Sequence, residues 1–187
     1  MIEEANLAET PSGLVPVGKG WFTVNVRDAA WETNDGLGGA CFFEGDEAPF
    51  AELGINVRVL SPGGSRWLYH AESGQEDFLV LAGDCLLLIE EEERRLRAWD
   101  FVHCPPGTGH AFVALGESPC VIVMVGARPP GWPENALVYP RSELALRHGV
   151  GVEKATDSPA EALAGFPRWR RQRPEQWADL PWASPPE

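Results

Sequence analysis

Between residues 53 and 127 the chain offers no helical period of useful length. Apolar residues come in short runs, separated at Pro62-Gly63-Gly64, Gly74, Gly83-Asp84, Pro105-Pro106-Gly107 and Gly116. Runs this short, punctuated by turn-formers, fit strands rather than helices. The pattern predicts strands over 55–60, 66–70, 78–81, 85–90, 94–99, 101–104, 111–114 and 121–126. Short strands at this spacing close into a sandwich or a barrel, an all-β fold. Runs 85–89 and 121–125 are apolar at every position, so both faces of those strands want burial. One face fills the barrel. The other needs cover from the rest of the chain or from a second subunit. Glu90 to Glu93, followed by Arg94-Arg95, reads as a solvated hairpin turn.

The flanks differ from this centre. Residues 1–52 form a lead-in with one clear strand over 21–27, where Phe22, Val24 and Val26 alternate with Thr23, Asn25 and Arg27. Residues 128–187 hold 10 of the 17 prolines and four of the eight tryptophans: Trp132, Trp169, Trp177 and Trp182. Proline favours extended backbone without ladder bonds, and tryptophans seek apolar surface. The segment therefore reads as a wrapping arm. It has room for two short helices: Ser142 caps one over Glu143–Arg147, stopped by Gly149, and Ser158 caps one that starts at Pro159 and ends by Gly165. His148 then sits at a helix C-terminus, where a positive charge is favoured.

Charge narrows the partners. The formal net charge is -13. Residues 1–127 carry 20 of the 28 acids and 7 of the 15 Lys and Arg, whereas the arm is formally neutral. An acidic body repels nucleic acid and anionic membranes. It accepts an uncharged ligand, or an anion where a metal supplies local positive charge. The basic run Arg168-Trp169-Arg170-Arg171-Gln172-Arg173 therefore reads as docking on an acidic neighbour. No apolar stretch is long enough to span a bilayer, and Met1-Ile2-Glu3-Glu4 lacks the basic start of a secretory leader. These features place the protein in the cytoplasm. Cys41, Cys85, Cys104 and Cys120 form no C-x-x-C pair and read as reduced core residues.

Two segments carry chemistry. In the first, His70 and Glu72 stand two apart, which puts both side chains on one face of a strand, and Ser73-Gly74 can turn Glu76 back to the same cavity. In the second, Pro105-Pro106-Gly107-Thr108-Gly109 delivers His110 at the start of a strand. These segments, in this order, resemble the two signature motifs of the cupin superfamily. Gly64, His70, Glu72, Glu76 and Gly83 fall on the first motif, and Pro105, Gly107 and His110 on the second. Asp100 stands beside the place of the second motif's leading glycine, and Ala114 replaces its final asparagine. The resemblance implies a double-stranded β-helix, a jelly-roll barrel, over residues 53–127. It further implies one divalent metal ion held by His70, Glu72, Glu76 and His110, and a small-molecule ligand. Glu72 stands where the family usually has histidine.

Two imidazoles and two carboxylates suit Zn, Mn, Fe or Ni. One carboxylate, Glu72 or Glu76, can instead leave the metal and act as a general base. The bland alternative is that His70 and His110 are hydrogen-bonded barrel residues without a metal. His103 differs in parity from Val102 and reads as a surface or interface residue, while Trp67 and Tyr69 read as core. Three functions stay open: a metal-dependent enzyme, isomerase- or lyase-like or a dioxygenase, on an oxygen-rich or aromatic metabolite; a non-catalytic ligand-binding or sensory barrel; and a structural dimerisation module. A homodimer is expected under all three, because apolar strand faces and the arm need cover.

Overall fold

The computed structural model describes residues 1–45, 49–61, 67–134, 136–174 and 180. Gly64, Arg66, Trp177 and Trp182 lie outside the described residues. In chain order the strands are β1 (Asn6–Thr10), β2 (Gly13–Val17), β3 (Trp31–Asn34), β4 (Gly38–Phe42), β5 (Leu53–Leu60), β6 (Ala71–Glu72), β7 (Glu76–Ala82), β8 (Asp84–Ile89), β9 (Glu92–Arg97), β10 (Phe101–Cys104), β11 (His110–Ala114), β12 (Cys120–Ala127) and β13 (Leu137–Val138). The helices are α1 (Glu143–Arg147) and α2 (Pro159–Ala162). A six-stranded sheet, ordered β10-β7-β12-β5-β4-β3, packs on a three-stranded sheet, β11-β8-β9, in an all-β jelly roll. Every pairing between these strands is antiparallel.

Strand parity sorts the side chains. Leu60, Phe78, Val80, Leu87, Phe112, Ile122 and Met124 meet in one buried cluster between the sheets. The opposite parity of β5 and β12 sends Val57, Val59, Val121 and Val123 to the outer face of the large sheet. That face is covered by Val24, Val26 and Ala29 from the lead-in and by Leu180 from the arm. Leu88 and Ala111 on the outer face of the small sheet are covered by Leu144 and Ala145 of α1 and by Val150. The two strands that are apolar on both faces thus find their cover within the same chain.

The lead-in corrects the sequence reading. Residues 22–25 join no sheet, although the predicted alternation of their exposure is present. Asn25 ends the run: its side chain accepts from the Arg27 amide, and its carbonyl accepts from Asp28 and Ala29. Side chains alternate there because the segment lies on an apolar face, with no ladder beside it. The hairpin of β3 and β4 extends the main sheet instead. Its small residues Gly38, Gly39 and Ala40 hid it from a reading based on apolar alternation. Pro174 packs so near Gly39 that a Cβ there would stand 3.1 Å from the proline ring.

The turns are specific. Gly83 links β7 to β8 at a φ of +73°, and a Cβ there would sit 2.3 Å from the Pro119 carbonyl oxygen. Glu90 and Glu91 turn β8 into β9 with φ of 46° and 64°. This turn is tied down on both sides: Glu90 accepts from the Gly109 amide at 2.6 Å, and Glu91 from Leu144 at 3.4 Å. The turn is solvent-exposed, as the sequence predicts, and it also anchors the loop before His110.

The arm wraps its own barrel over the described residues. Ser142 caps α1 by accepting from Ala145 at 3.0 Å, and Ser158 caps α2 by accepting from Glu161 at 3.3 Å. Gly149 follows α1 at a φ of +67°. His148 is the α1 C-cap and meets Glu93 at 2.8 Å. Arg170 pairs by backbone with Thr33 at the edge of β3, and its guanidinium meets Asp35. Arg171 reaches Glu32 at 3.7 Å, so the basic run docks on acids of the same chain. All four cysteines are buried free thiols. No helix among the described residues is long and apolar enough to cross a membrane.

Trp31 is fully buried in the outer cluster and donates its ring N–H to the Val26 carbonyl at 3.1 Å. Trp31→Ala is expected to cost about 3–5 kcal/mol of stability. A shifted midpoint in urea denaturation reads that loss; an unmoved midpoint means the outer cluster does not hold the sheet.

Candidate metal centre

Two backbone hydrogen bonds bring the predicted residues together. His70 donates to the His110 carbonyl at 3.0 Å, and His110 donates back to the His70 carbonyl at 2.9 Å. Residues paired this way across antiparallel chains hold their side chains abreast on one face. The two imidazoles accordingly lie with centroids 4.7 Å apart. Each ring is held by its Nδ1: His70 to the Leu68 carbonyl at 2.7 Å, His110 to the Thr108 carbonyl at 3.0 Å. A carbonyl can only accept, so each Nδ1 carries the proton and each Nε2 keeps a free lone pair. Metal-ligating histidines are oriented in this manner.

Glu76 opens β7, and its Oε2 lies 3.5 Å from His110 Nε2. Donor atoms of His70, Glu76 and His110 all fall within 4.8 Å of one another. Glu72, on β6, lines the same cavity but stands outside this group of three. Gly126 borders both carboxylates: a Cβ there would touch Glu72 Oε2 at 3.8 Å and Glu76 Cγ at 3.9 Å, ordinary contact distances. Gly109 is required: a Cβ there would stand 2.4 Å from the Tyr69 hydroxyl.

Burial sets the charges. His70 is driven down to about 3 by desolvation, with His110 and Arg58 adding to the fall and the Leu68 carbonyl opposing it. Desolvation also lowers His110, against the Thr108 carbonyl. Glu76 is pushed up to about 8 by burial and by the Glu72 charge, and burial raises Glu72. The imidazoles are thus neutral at pH 7, as ligands must be, while the carboxylates lack a positive partner. A divalent cation at the common point satisfies both conditions, and the donor set fits one.

The site closes one end of a cavity of about 290 Å³, walled by Phe78, Phe112 and Met124 and opening past Phe42, Trp67 and Trp132. Two contributors escaped the sequence reading. Arg58 lines the cavity from β5, where the apolar set Leu53, Ile55, Val57 and Val59 reads as the inward face and leaves Arg58 to solvent. The shared parity of Arg58 and Leu60 was the available signal. Glu90 holds the Gly109 amide and looked like one of four equivalent surface acids. His103 is exposed and paired with Asp77 at 2.7 Å. Trp67 lines the cavity mouth, and Tyr69 packs in the outer cluster under α1.

The shifted carboxyl and imidazole act oppositely on stability. Folded Glu76 keeps its proton to about 8 while the ordinary carboxyl releases it near 4.5. The unfolded chain then binds fewer protons in that window, so stability falls as pH rises through it. Folded His70 near 3 lies below the ordinary 6.5, so its stability is present above 6.5 and lost as pH falls. In chelator-treated protein, Glu76→Gln is expected to gain up to a few kcal/mol over the parent at pH 8 and little near pH 4.5. Denaturation at both pH values checks this; a gain equal at both would refute it.

Comparison with known proteins agrees with the architecture. Residues 56–126 match the family described as Cupin domain. No curated protein matches the chain. Among solved structures, a putative sugar phosphate isomerase from Acidithiobacillus ferrooxidans is 26% identical, with 42% of this chain and 51% of that chain covered and a TM-score of 0.40. A sugar phosphate isomerase of the cupin superfamily from Silicibacter pomeroyi is 28% identical, with 49% and 60% covered and a TM-score of 0.43. The chain thus spans between half and three-fifths of those two proteins. The polyketide cyclase RemF from Streptomyces resistomycificus is 19% identical, with 58% of this chain and 81% of that chain covered and a TM-score of 0.50, a likeness of fold.

Proposed function

We propose that this chain, whose residues 56–126 form a cupin domain, is a divalent-metal-dependent enzyme acting on a small oxygen-rich or aromatic metabolite. The supporting observation is the convergence of two free Nε2 atoms and one carboxylate in a cavity of mixed polar and aromatic lining, beside a second, displaced carboxylate. In this reading His70, Glu76 and His110 hold the cation, drawn from Zn, Mn, Fe or Ni. Bound there, the cation supplies Lewis acidity toward a substrate oxygen. Glu72, with its pKa raised by burial, takes a proton from the carbon α to the carbonyl that carries that oxygen and returns it to the former carbonyl carbon, so that hydroxyl and carbonyl exchange places. Phe78, Phe112 and Met124 keep water from the site. The reaction class is isomerase- or lyase-like.

A dioxygenase is the second reading, because two imidazoles and one carboxylate leave coordination positions open. A non-catalytic binding barrel is the third. We also carry a homodimer as a proposal, on narrower ground than the sequence suggests. The strand faces are covered within the chain, and exposed aromatics, Trp99 and Phe101 foremost and Trp21 and Trp132 with them, remain to cover. Light scattering decides it.

Purified protein is expected to hold one cation per chain. His110→Ala and Glu76→Ala should lower metal content about tenfold or more in elemental analysis. A full complement of metal in both variants rules out the site. Glu72→Gln should keep the metal and lose about 10²–10⁴-fold in metal-dependent hydrogen exchange between D₂O and a panel of hydroxy-carbonyl compounds, read by NMR. Oxygen uptake with Fe(II), without such exchange, moves the assignment to the second reading. Neither activity, with ligand binding retained, moves it to the third.

A further inference from the structure

Arg58 is an interior arginine that feels the Glu32 charge but, among the described residues, makes no ion pair. It pairs with Ile122 on β12 and with Ala40 on β4, and Ile122 belongs to the core between the sheets. The side chain is only 8% exposed and lines the cavity together with His70, Glu76 and His110. Its Nε donates to Asn56 Oδ1 at 3.1 Å, while its Nη1 is buried with no hydrogen-bond partner. Among the described residues no carboxylate stands within ion-pair distance of it. Burying an unpaired charge costs several kcal/mol by general experience, so the arrangement calls for a compensating group.

The aromatic surroundings account for the position of the guanidinium but leave Nη1 unused. It lies 4.0 Å from the Trp67 ring centroid and 5.3 Å from those of Trp169 and Phe42. Stacking occupies the faces of the plane; the N–H donors lie in the plane and form a fork that matches an oxyanion. Arg128 lines the same cavity and makes the contrast. Its terminal nitrogens are taken by both oxygens of Glu44 and by the Phe50 carbonyl.

Charge in the cavity points the same way. Glu72 and Glu76 together balance a divalent cation, and Arg58 then leaves one positive charge over. That local excess lets an otherwise acidic protein take an anion. Trp67 joins the two centres, since its ring also meets the His70 ring at 6.3 Å.

We infer that Arg58 binds the oxyanion group, carboxylate or phosphate, of a small ligand whose other oxygens reach His70, Glu76 and His110. The substrate class is therefore an anionic, oxygen-rich metabolite that fits a cavity of about 290 Å³. The second end of the ligand and the charge excess rest on the metal reading above; the buried, unpartnered Nη1 of Arg58 does not.

The test uses full-length protein loaded with Mn²⁺ or Zn²⁺, titrated with inorganic phosphate, with malonate and with glycerol. Calorimetry gives affinity, and tryptophan fluorescence reports the ring stack. Phosphate or malonate should bind and glycerol should not; which anion binds tighter separates the two sources of the oxyanion. R58Q should bind that anion about 10- to 100-fold more weakly with unchanged metal content. Equal affinity in R58Q, or no binding of either anion to the parent protein at millimolar concentration, overturns the inference. Should R58Q fail to fold by circular dichroism, R58K carries the test, since it keeps the charge and loses the fork. Unchanged affinity in R58K then overturns it. Repeating the titration after chelation separates the two claims. Arg58-dependent anion binding in a protein that takes up no metal upholds this inference and removes the metal reading.

Discussion

The site depends on one reciprocal pair of backbone hydrogen bonds, between His70 and His110. Everything chemical in the barrel follows from that contact. It sets two imidazoles abreast, and the Leu68 and Thr108 carbonyls then decide which nitrogen of each ring looks into the cavity. The neighbours of the pair hold it in place. Trp67 donates to the Phe112 carbonyl and Tyr69 to the Val150 carbonyl, so the short segment is stitched alternately to the barrel and to the arm. On the other side Glu90 clamps the Gly109 amide. A pair of bonds so braced is a rigid mount, which a metal or a ligand needs before it can be bound without reorganising the protein.

Much of this was legible in the chain. The spacing His70–Glu72–Glu76 and the loop before His110 pointed to one cavity because strand parity and turn-formers restrict where side chains can go. The caps of α1 and α2 were readable because Ser142 and Ser158 act locally, through bonds three residues away. What escaped was non-local. β3 and β4 are made of small residues that a sheet accepts once Val57, Val59 and Pro174 lie beside them. The run 22–26 shows the converse: its alternation is real, yet no strand lies beside it, so burial pattern and pairing part company. Arg58 was hidden by the pattern of β5, whose apolar set includes Val57 and Val59 on the face away from the cavity, so parity pointed Arg58 to solvent. For Glu72 the spacing gave the right cavity, while its distance from the other three donors follows from the pairing of β6 with β13 in the arm.

The electrostatic design is one of local exceptions to an acidic whole. Most of the excess negative charge is solvated at the surface. Arg170 and Arg171 of the arm meet Asp35 and Glu32, which fastens the arm to the β3 edge. Inside, the two carboxylates and the two imidazoles are all displaced from their ordinary protonation equilibria by burial. Groups held in that condition cost stability, and a chain retains them where a bound cation offsets the cost.

The closure of the β3 edge has a further consequence, for the order in which the molecule can assemble. Asn34 bonds the Pro167 carbonyl across 133 residues, next to the Thr33–Arg170 bridge. On the ribosome the edge of β3 therefore emerges long before the segment that seals it. During that interval the growing chain presents an open strand. Contacts of such long range slow folding, and an unsealed strand invites pairing with another nascent copy. Residues 167–170 thus act as the latch of that edge.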